Sequence, residues 1–167
     1  MSEDNIARMG QVIFSSQGQT ELRVLGLGSC IGLCLFDPVV KLAAVAHIVL
    51  PEAKSSGTSD PGKYADTAVP YLIGEMAKKG AVKHRLRAAI VGGAQLFVFA
   101  GAGNSLNVGE RNIAAVKRHL SDSKIRVLAE DVGGKAGRTL LVDAKTGDVR
   151  IRKLGSPERH LTNLLSK

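Results

Sequence analysis

Aromatic residues are scarce: they make up 4% of the 167 residues, and tryptophan is missing. Small and branched aliphatics must therefore fill any core, and a hydrophobic content of 44% is ordinary for a chain that builds one. No aromatic platform is interleaved with the basic residues, which argues against a single-strand nucleic-acid binder. Helix-turn-helix and zinc-finger patterns are missing too, so sequence-specific DNA reading has no support. Cysteine is limited to Cys30 and Cys34. On one strand these would stand about 13 Å apart between Cα atoms, out of reach of a disulfide. Free thiols fit a reducing compartment. The longest apolar stretch, around Leu42 to Leu50, is too short to span a membrane. The start, Met1-Ser2-Glu3-Asp4, is polar and acidic, unlike a signal peptide. The expectation is a cytoplasmic protein without membrane insertion. Gly133-Gly134-Lys135-Ala136-Gly137-Arg138 looks like a phosphate loop but lacks the Lys-Ser/Thr ending and leads into a strand, so nucleotide binding is rejected. His84, His119 and His160 lie in polar, basic contexts, and no two histidines stand at ligand spacing. Neither a metal nor a cofactor is expected.

What is present is a basic chain of one domain's length, taken as a single domain spanning 1–167. The formal net charge is +8. Lys78, Lys79, Lys83, Arg85 and Arg87 form one cluster; Arg150, Arg152, Lys153, Arg159 and Lys167 form another. Such a surface favours acidic partners, although a solvated face is its commoner use. Gln11 to Ser15 and Leu22 to Leu27 have strand character. Ile31 to Phe36 and Leu42 to Leu50 are near-continuous apolar runs, the pattern of strands covered on both faces. Glu52 to Lys63 reads as a mobile loop. Ala65 to Lys79 reads as a helix stopped by Gly80, with Pro70 awkward beyond the first turn. Leu86 to Val91 reads as a strand and Leu96 to Ala100 as a short apolar segment. A helix capped by Asn107 or Gly109 runs to about Leu120, with Ile113, Val116 and Leu120 as its buried stripe. Ile125 to Ala129 is a strand, followed by a glycine loop from Asp131 to Gly137. Thr139 to Val142 and Val149 to Ile151 make a hairpin. The last dozen residues carry no assignable pattern.

One pair of residues carries chemistry. Cys30 ends the glycine-flanked turn Leu25-Gly26-Leu27-Gly28-Ser29-Cys30, and His47 lies in the next apolar run. If Phe36 pairs with Lys41 around an Asp37 to Val40 loop, stepping outward puts Cys30 directly opposite His47. Opposed residues share a face, with Cβ atoms about 5 Å apart. A thiol with an imidazole in reach can become a thiolate nucleophile. Gly28 and Ser29 would leave amide N–H groups free beside the sulfur, where they could hold an oxyanion. The plainer alternative, a buried structural cysteine and a satisfied core histidine, stands at about even weight. Ser29 reads as a turn residue, not a nucleophile.

Taken together, these residues resemble the chemoreceptor glutamine deamidase family (CheD). The likeness covers nearly the whole chain. It is carried by Leu25-Gly-Leu-Gly-Ser-Cys30, Phe36-Asp37-Pro38, Ala46-His47-Ile48-Val49-Leu50-Pro51, Tyr64-Ala-Asp66, Gly92-Gly93-Ala94-Gln95-Leu96-Phe97, Val108-Gly109-Glu110-Arg111-Asn112, Asp131-Val-Gly133-Gly134 with Gly137-Arg138, and Asp143 with Thr146-Gly147. The resemblance implies an α+β fold, a layered sandwich of mixed β-sheets flanked by helices, shared with cysteine deamidase toxins. It implies hydrolysis of selected glutamines on the cytoplasmic helices of methyl-accepting chemotaxis receptors, giving glutamate and ammonia. Cys30 maps to the family's nucleophile and His47 to its base. A CheC-type response-regulator phosphatase is the second partner implied. One position departs: the family's threonine six residues before the cysteine, a hydroxyl partner for the histidine, is Val24 here. Either another group, such as a backbone carbonyl or a water, orients His47, or activity is reduced. Three rivals remain: a non-catalytic receptor- or phosphatase-binding adaptor of the same fold, a nucleic-acid binder resting on charge alone, and a cysteine amidase acting on a small molecule.

Overall fold

Asp37 turns the chain between its two most apolar runs, and the fold is organised around that turn. The structure, a computed structural model, describes residues 5–17, 20–54, 59–96 and 107–166. Its strands are β1 (Val12–Phe14), β2 (Glu21–Leu27), β3 (Ile31–Asp37), β4 (Leu42–Ile48), β5 (Arg87–Gly92), β6 (Arg126–Val132), β7 (Arg138–Asp143), β8 (Asp148–Lys153) and β9 (Arg159–Asn163); its helices are α1 (Ala65–Lys78) and α2 (Val108–Asp122). One sheet has the order β1-β4-β3-β5-β6 and the other β2-β7-β8-β9. The first is mixed, since β6 runs parallel to β5 while the other pairs are antiparallel. The second is antiparallel throughout.

Every residue of β3 and β4 is buried, as their unbroken apolar composition requires. Alternation then sorts their side chains into two layers. Ile31, Leu33, Leu35, Ala44, Ala46 and Ile48 pack against α1 and α2, which both cover the outer face of the mixed sheet. Cys34, Phe36, Ala43 and Val45 point the other way, against Leu22, Val24, Leu140, Val142 and Ile151 of the second sheet. The result is three layers: helices, mixed sheet, antiparallel sheet. The α+β sandwich expected from the sequence is therefore present, with the helices confined to one side.

The hairpin register differs from expectation. Phe36 pairs with Ala43 and Gly32 with His47, so β4 starts at Leu42 and the loop is Pro38 to Lys41. The turn chemistry explains the shift. The Asp37 carboxylate accepts the N–H groups of Val39 (2.9 Å), Val40 (3.4 Å) and Val82 (2.9 Å), and pairs with Arg85 at 2.9 Å. Lys41 closes the loop in a left-handed conformation (φ 53°), which keeps it out of the ladder. Burial opposes ionisation of Asp37, but these bonds together hold its carboxyl below the ordinary value.

Other elements match closely. The Asn107 side chain caps α2 by accepting the Glu110 N–H, and Val116 and Leu120 are fully buried with Ile113 partly so. Pro70 lies in the second turn of α1 on an exposed surface, which removes one helical hydrogen bond but no core contact. Pro61–Lys63, within the expected loop, forms a 3₁₀ turn, and residues 55–58 of that loop lie outside the described residues. Most of the Leu96 to Ala100 segment is likewise outside them. The unassigned tail supplies β9, an edge strand whose Arg159 and His160 are exposed while Thr162 is buried.

The N-terminus of α2 docks on the turn after β5. A Cβ on Gly109 would lie 2.5 Å from the Gly93 carbonyl oxygen and 2.6 Å from that of Ala94. In an open helix, Gly→Ala stabilises by about 1 kcal/mol. Here the obstacle is backbone that cannot yield, so Gly109→Ala is expected to lower the free energy of urea unfolding by about 1–3 kcal/mol.

Candidate active site

Three backbone carbonyls of the glycine turn are tied into the protein. Gly28 O accepts from Ala94 N (2.8 Å), Ser29 O from Asn112 Nδ2 (2.9 Å), and Cys30 O from Gly93 N (2.9 Å). The last bond needs the glycine at 92, because a Cβ there (φ +116°) would sit 2.2 Å from Cys30 O. The N–H groups fare differently. Among the described residues, neither Ser29 N–H nor Cys30 N–H donates a hydrogen bond. A turn with its carbonyls anchored inward and its amides free is able to receive an oxyanion. Gly28 lines an open groove of about 430 Å³, bordered by Leu96, Arg152, Lys153 and Leu154.

Cys30 immediately precedes β3. Because Gly32 is the residue opposite His47, Cys30 is the diagonal neighbour of His47 and not its direct partner. The two positions keep the same face, the one turned toward the second sheet. Diagonal neighbours lie about 7–8 Å apart, within reach of long side chains. Gly32 lies between them on that face, and its missing side chain makes room for Leu27 and Leu140, which a Cβ there would strike at 2.8 Å and 3.2 Å. The expected opposition thus gives way to a diagonal, with the shared face intact.

The segment before β1 holds His47 on three sides. Gln11 O accepts the His47 N–H (3.0 Å), the Gly10 N–H donates to His47 O (2.9 Å), and the ring Nδ1 lies 3.1 Å from Ala7 O. Ala7 is itself docked on β2 through its N–H to Arg23 O (2.9 Å). A carbonyl only accepts, so Nδ1 carries the proton and Nε2 keeps its lone pair. Nε2 is buried and has no hydrogen-bond partner among the described residues. Val24, the departure from the family pattern, is fully buried in the inter-sheet core. The Ala7 carbonyl is the hydrogen-bond partner of the His47 ring among the described residues.

Burial sets the charge state. It pushes the Cys30 thiol above its ordinary value. It pushes the His47 imidazole below its own, outweighing the Ala7 bond, which works the other way. The resting pair is a neutral thiol and a neutral imidazole. Cys34, on the same face but with no exposure, is pushed up to about 12 and is a structural residue.

Asn112 was not marked by sequence reasoning as a site residue. It is fully buried and donates to Ser29 O and Val49 O, both at 2.9 Å. A signal existed: Asn112 stands on the apolar stripe of α2, one turn before Val116, where a polar residue needs a reason. Ala7 left no such signal, since its contribution is a main-chain carbonyl.

The basic clusters are less free than the sequence suggests. Asp131 pairs with Arg138 (2.8 Å), Lys153 (3.2 Å) and Arg159. Burial raises the Asp131 pKa, but Lys153 and Arg138 together bring it below the ordinary value. Arg138, from the glycine loop rejected as a phosphate site, reaches Gly92 O as well (3.4 Å) and so braces the strand end beside Cys30. Arg150 pairs with Glu158, and Lys78 with Glu75 at 2.7 Å. Among the described residues, no group of three His, Cys, Asp or Glu is placed to hold a metal ion, and no helix is long and apolar enough to cross a membrane.

A buried neutral histidine makes stability depend on pH in a defined direction. Its folded pKa lies below the unfolded value, so acid protonates the unfolded chain first and stability falls as pH drops through the histidine range. Urea unfolding at about pH 7.5 and about pH 5.5 is expected to show a loss in wild type that is smaller in His47→Gln.

The family model described as "CheD chemotactic sensory transduction" matches residues 49–153, more than half of the chain, starting just past His47. The "Chemoreceptor glutamine deamidase CheD" of Thermotoga maritima is 48% identical over 136 residues, covering 81% of this chain and 83% of that protein. The "Probable chemoreceptor glutamine deamidase CheD" of Syntrophomonas wolfei is 45% identical over 140 residues, covering 83% and 87%. A protein of the same printed name from Clostridium botulinum is 44% identical over 144 residues, covering 86% and 88%. Among solved structures, the hypothetical protein YfiH of Bacillus licheniformis gives a TM-score of 0.42 at 11% identity, over 70% of this chain and 49% of that one.

Proposed function

This chain belongs to the CheD family, and from that premise we propose that it is a chemoreceptor glutamine deamidase in which Cys30 is the nucleophile and His47 its base. The observation that carries the reading is the His47 ring, bonded through Nδ1 to the Ala7 carbonyl and leaving Nε2 unpartnered on the face of Cys30. The reaction is hydrolysis of a glutamine side chain to glutamate and ammonia.

The steps follow from the resting state. His47 Nε2 takes the Cys30 proton as the sulfur attacks the carboxamide carbon, so the thiolate forms only when a substrate is in place. The amide oxygen gains the charge and is held by the free N–H groups of Ser29 and Cys30, with Gly28 allowing close approach. The imidazolium then gives its proton to the leaving nitrogen, and ammonia departs, leaving a thioester on Cys30. Water deprotonated by His47 attacks that thioester. Its collapse returns the proton to sulfur and releases the glutamate side chain. No metal or cofactor enters the scheme.

The substrate is a helix of a chemoreceptor's cytoplasmic part, and the positive surface steers an acidic partner toward the groove. The whole chain, 1–167, acts as one domain in the cytoplasm. A CheC-type phosphatase is proposed as a second, competing partner. The Ala7 carbonyl favours catalysis over the adaptor reading, because it supplies the orienting acceptor that Val24 cannot.

The test is ammonia release, and conversion of glutamine to glutamate read by mass spectrometry, on a receptor cytoplasmic fragment. Wild type is expected to convert it and Cys30→Ala to give none. His47→Ala should lose about 10²–10⁴-fold in kcat. Free glutamine should not be turned over. Binding of the fragment without conversion would support the adaptor instead.

A further inference from the structure

We propose that Asn112 is a positioning residue that aims the Cys30 N–H at the oxyanion; this rests on the deamidase reading above. The ladder between β3 and β4 ends at the pair Ile31 and Ile48. Beyond it, Ser29 O and Val49 O both accept from the one Asn112 amide nitrogen, each at 2.9 Å. Two carbonyls cannot bond each other, so only a group with two donors can join them. The asparagine amide supplies both from a fully buried position on α2.

The peptide unit explains what the bond does. Ser29 C=O and Cys30 N–H belong to one planar, trans unit, and therefore point in opposite directions. Drawing Ser29 O toward Asn112 turns the Cys30 N–H the other way, where it meets no protein acceptor among the described residues. The Gly28 O to Ala94 N bond does the same for the Ser29 N–H. Val49 O is the second anchor, which fixes the amide so that its other hydrogen must face Ser29. Docking of Gly109 on Gly93 and Ala94 fixes the helix that carries it.

A purely structural role fits poorly. Asn112 Oδ1 is buried without a partner among the described residues, and an aliphatic residue would satisfy the apolar stripe better. The side chain that is present meets the needs of the turn and not those of the helix.

Two variants test this, each first confirmed as folded by circular dichroism. Asn112→Ala removes both bonds; Asn112→Asp keeps the shape but sets oxygen against oxygen. Deamidation of a receptor fragment gives kcat and KM. Alkylation of Cys30 by iodoacetamide reports the thiol and His47 without any oxyanion. The expected result is a kcat lower by about 10²-fold, the low end of losing one oxyanion donor, with KM within about twofold. Alkylation should stay within a few-fold of wild type, in keeping with a donor effect. A folded variant with wild-type kcat would overturn the proposal and leave the deamidase reading standing. An equal loss in alkylation would place the defect in the thiol and also overturn it, as would failure of both variants to fold. A wild type that alkylates at Cys30 but converts no fragment would remove the deamidase reading and this inference with it.

Discussion

The rest of the structure depends on the parity of the β3–β4 ladder. Both strands are buried on both faces, so each residue must belong to one of two layers. A slip of one residue would exchange the layers. His47 would enter the aliphatic layer beneath the helices, lose the Ala7 carbonyl and leave its ring without a bond. Ile48 would take its place between the sheets. The cost of a buried unpaired polar group, about 1–3 kcal/mol, comes on top of the misplacement of every aliphatic in both strands. The same parity that fills the two cores puts Cys30 and His47 on one face.

That parity was legible in the sequence because it rests on apolar runs and an Asp-Pro turn. The exact register was not, because it depends on bonds that composition does not display. Asp37 spends its carboxylate on Val39, Val40, Val82 and Arg85, and Lys41 turns left-handed, which slides the four-residue loop one residue along the chain, from Asp37–Val40 to Pro38–Lys41. Ala7 could not be read at all, since any residue carries a carbonyl; only the tertiary docking of Ala7 on Arg23 brings it to His47. Asn112 was half legible: it sits within a stretch that resembles the family, and it breaks an apolar stripe. The tail concealed β9 because an edge strand with exposed Arg159 and His160 has too little apolar alternation to declare itself.

Burial separates the two cysteines and defines how the proposed chemistry starts. Cys34 is sealed among the inter-sheet aliphatics and stays a thiol at any ordinary pH. Cys30 lies at the end of the same row, two residues after Gly28, which lines the groove. Its thiol is raised and the His47 imidazole is lowered, so charge separation between them is disfavoured at rest. An arriving carboxamide changes the balance, because the negative charge then passes to an oxygen that faces free N–H groups. A neutral resting pair slows the reaction of the sulfur with chance electrophiles relative to a preformed thiolate.

Everything proposed for the site requires that the Ala7 carbonyl fix His47 as the Nδ1–H tautomer with its Nε2 lone pair free. Nitrogen-15 NMR of the histidine side chains at neutral pH tests it most directly. His47 is expected to give a protonated Nδ1 and an unprotonated Nε2, with Nε2 unaffected by loss of the thiol in Cys30→Ala beyond a small shift. An Nε2–H tautomer, or a ring already doubly protonated at neutral pH, would contradict it.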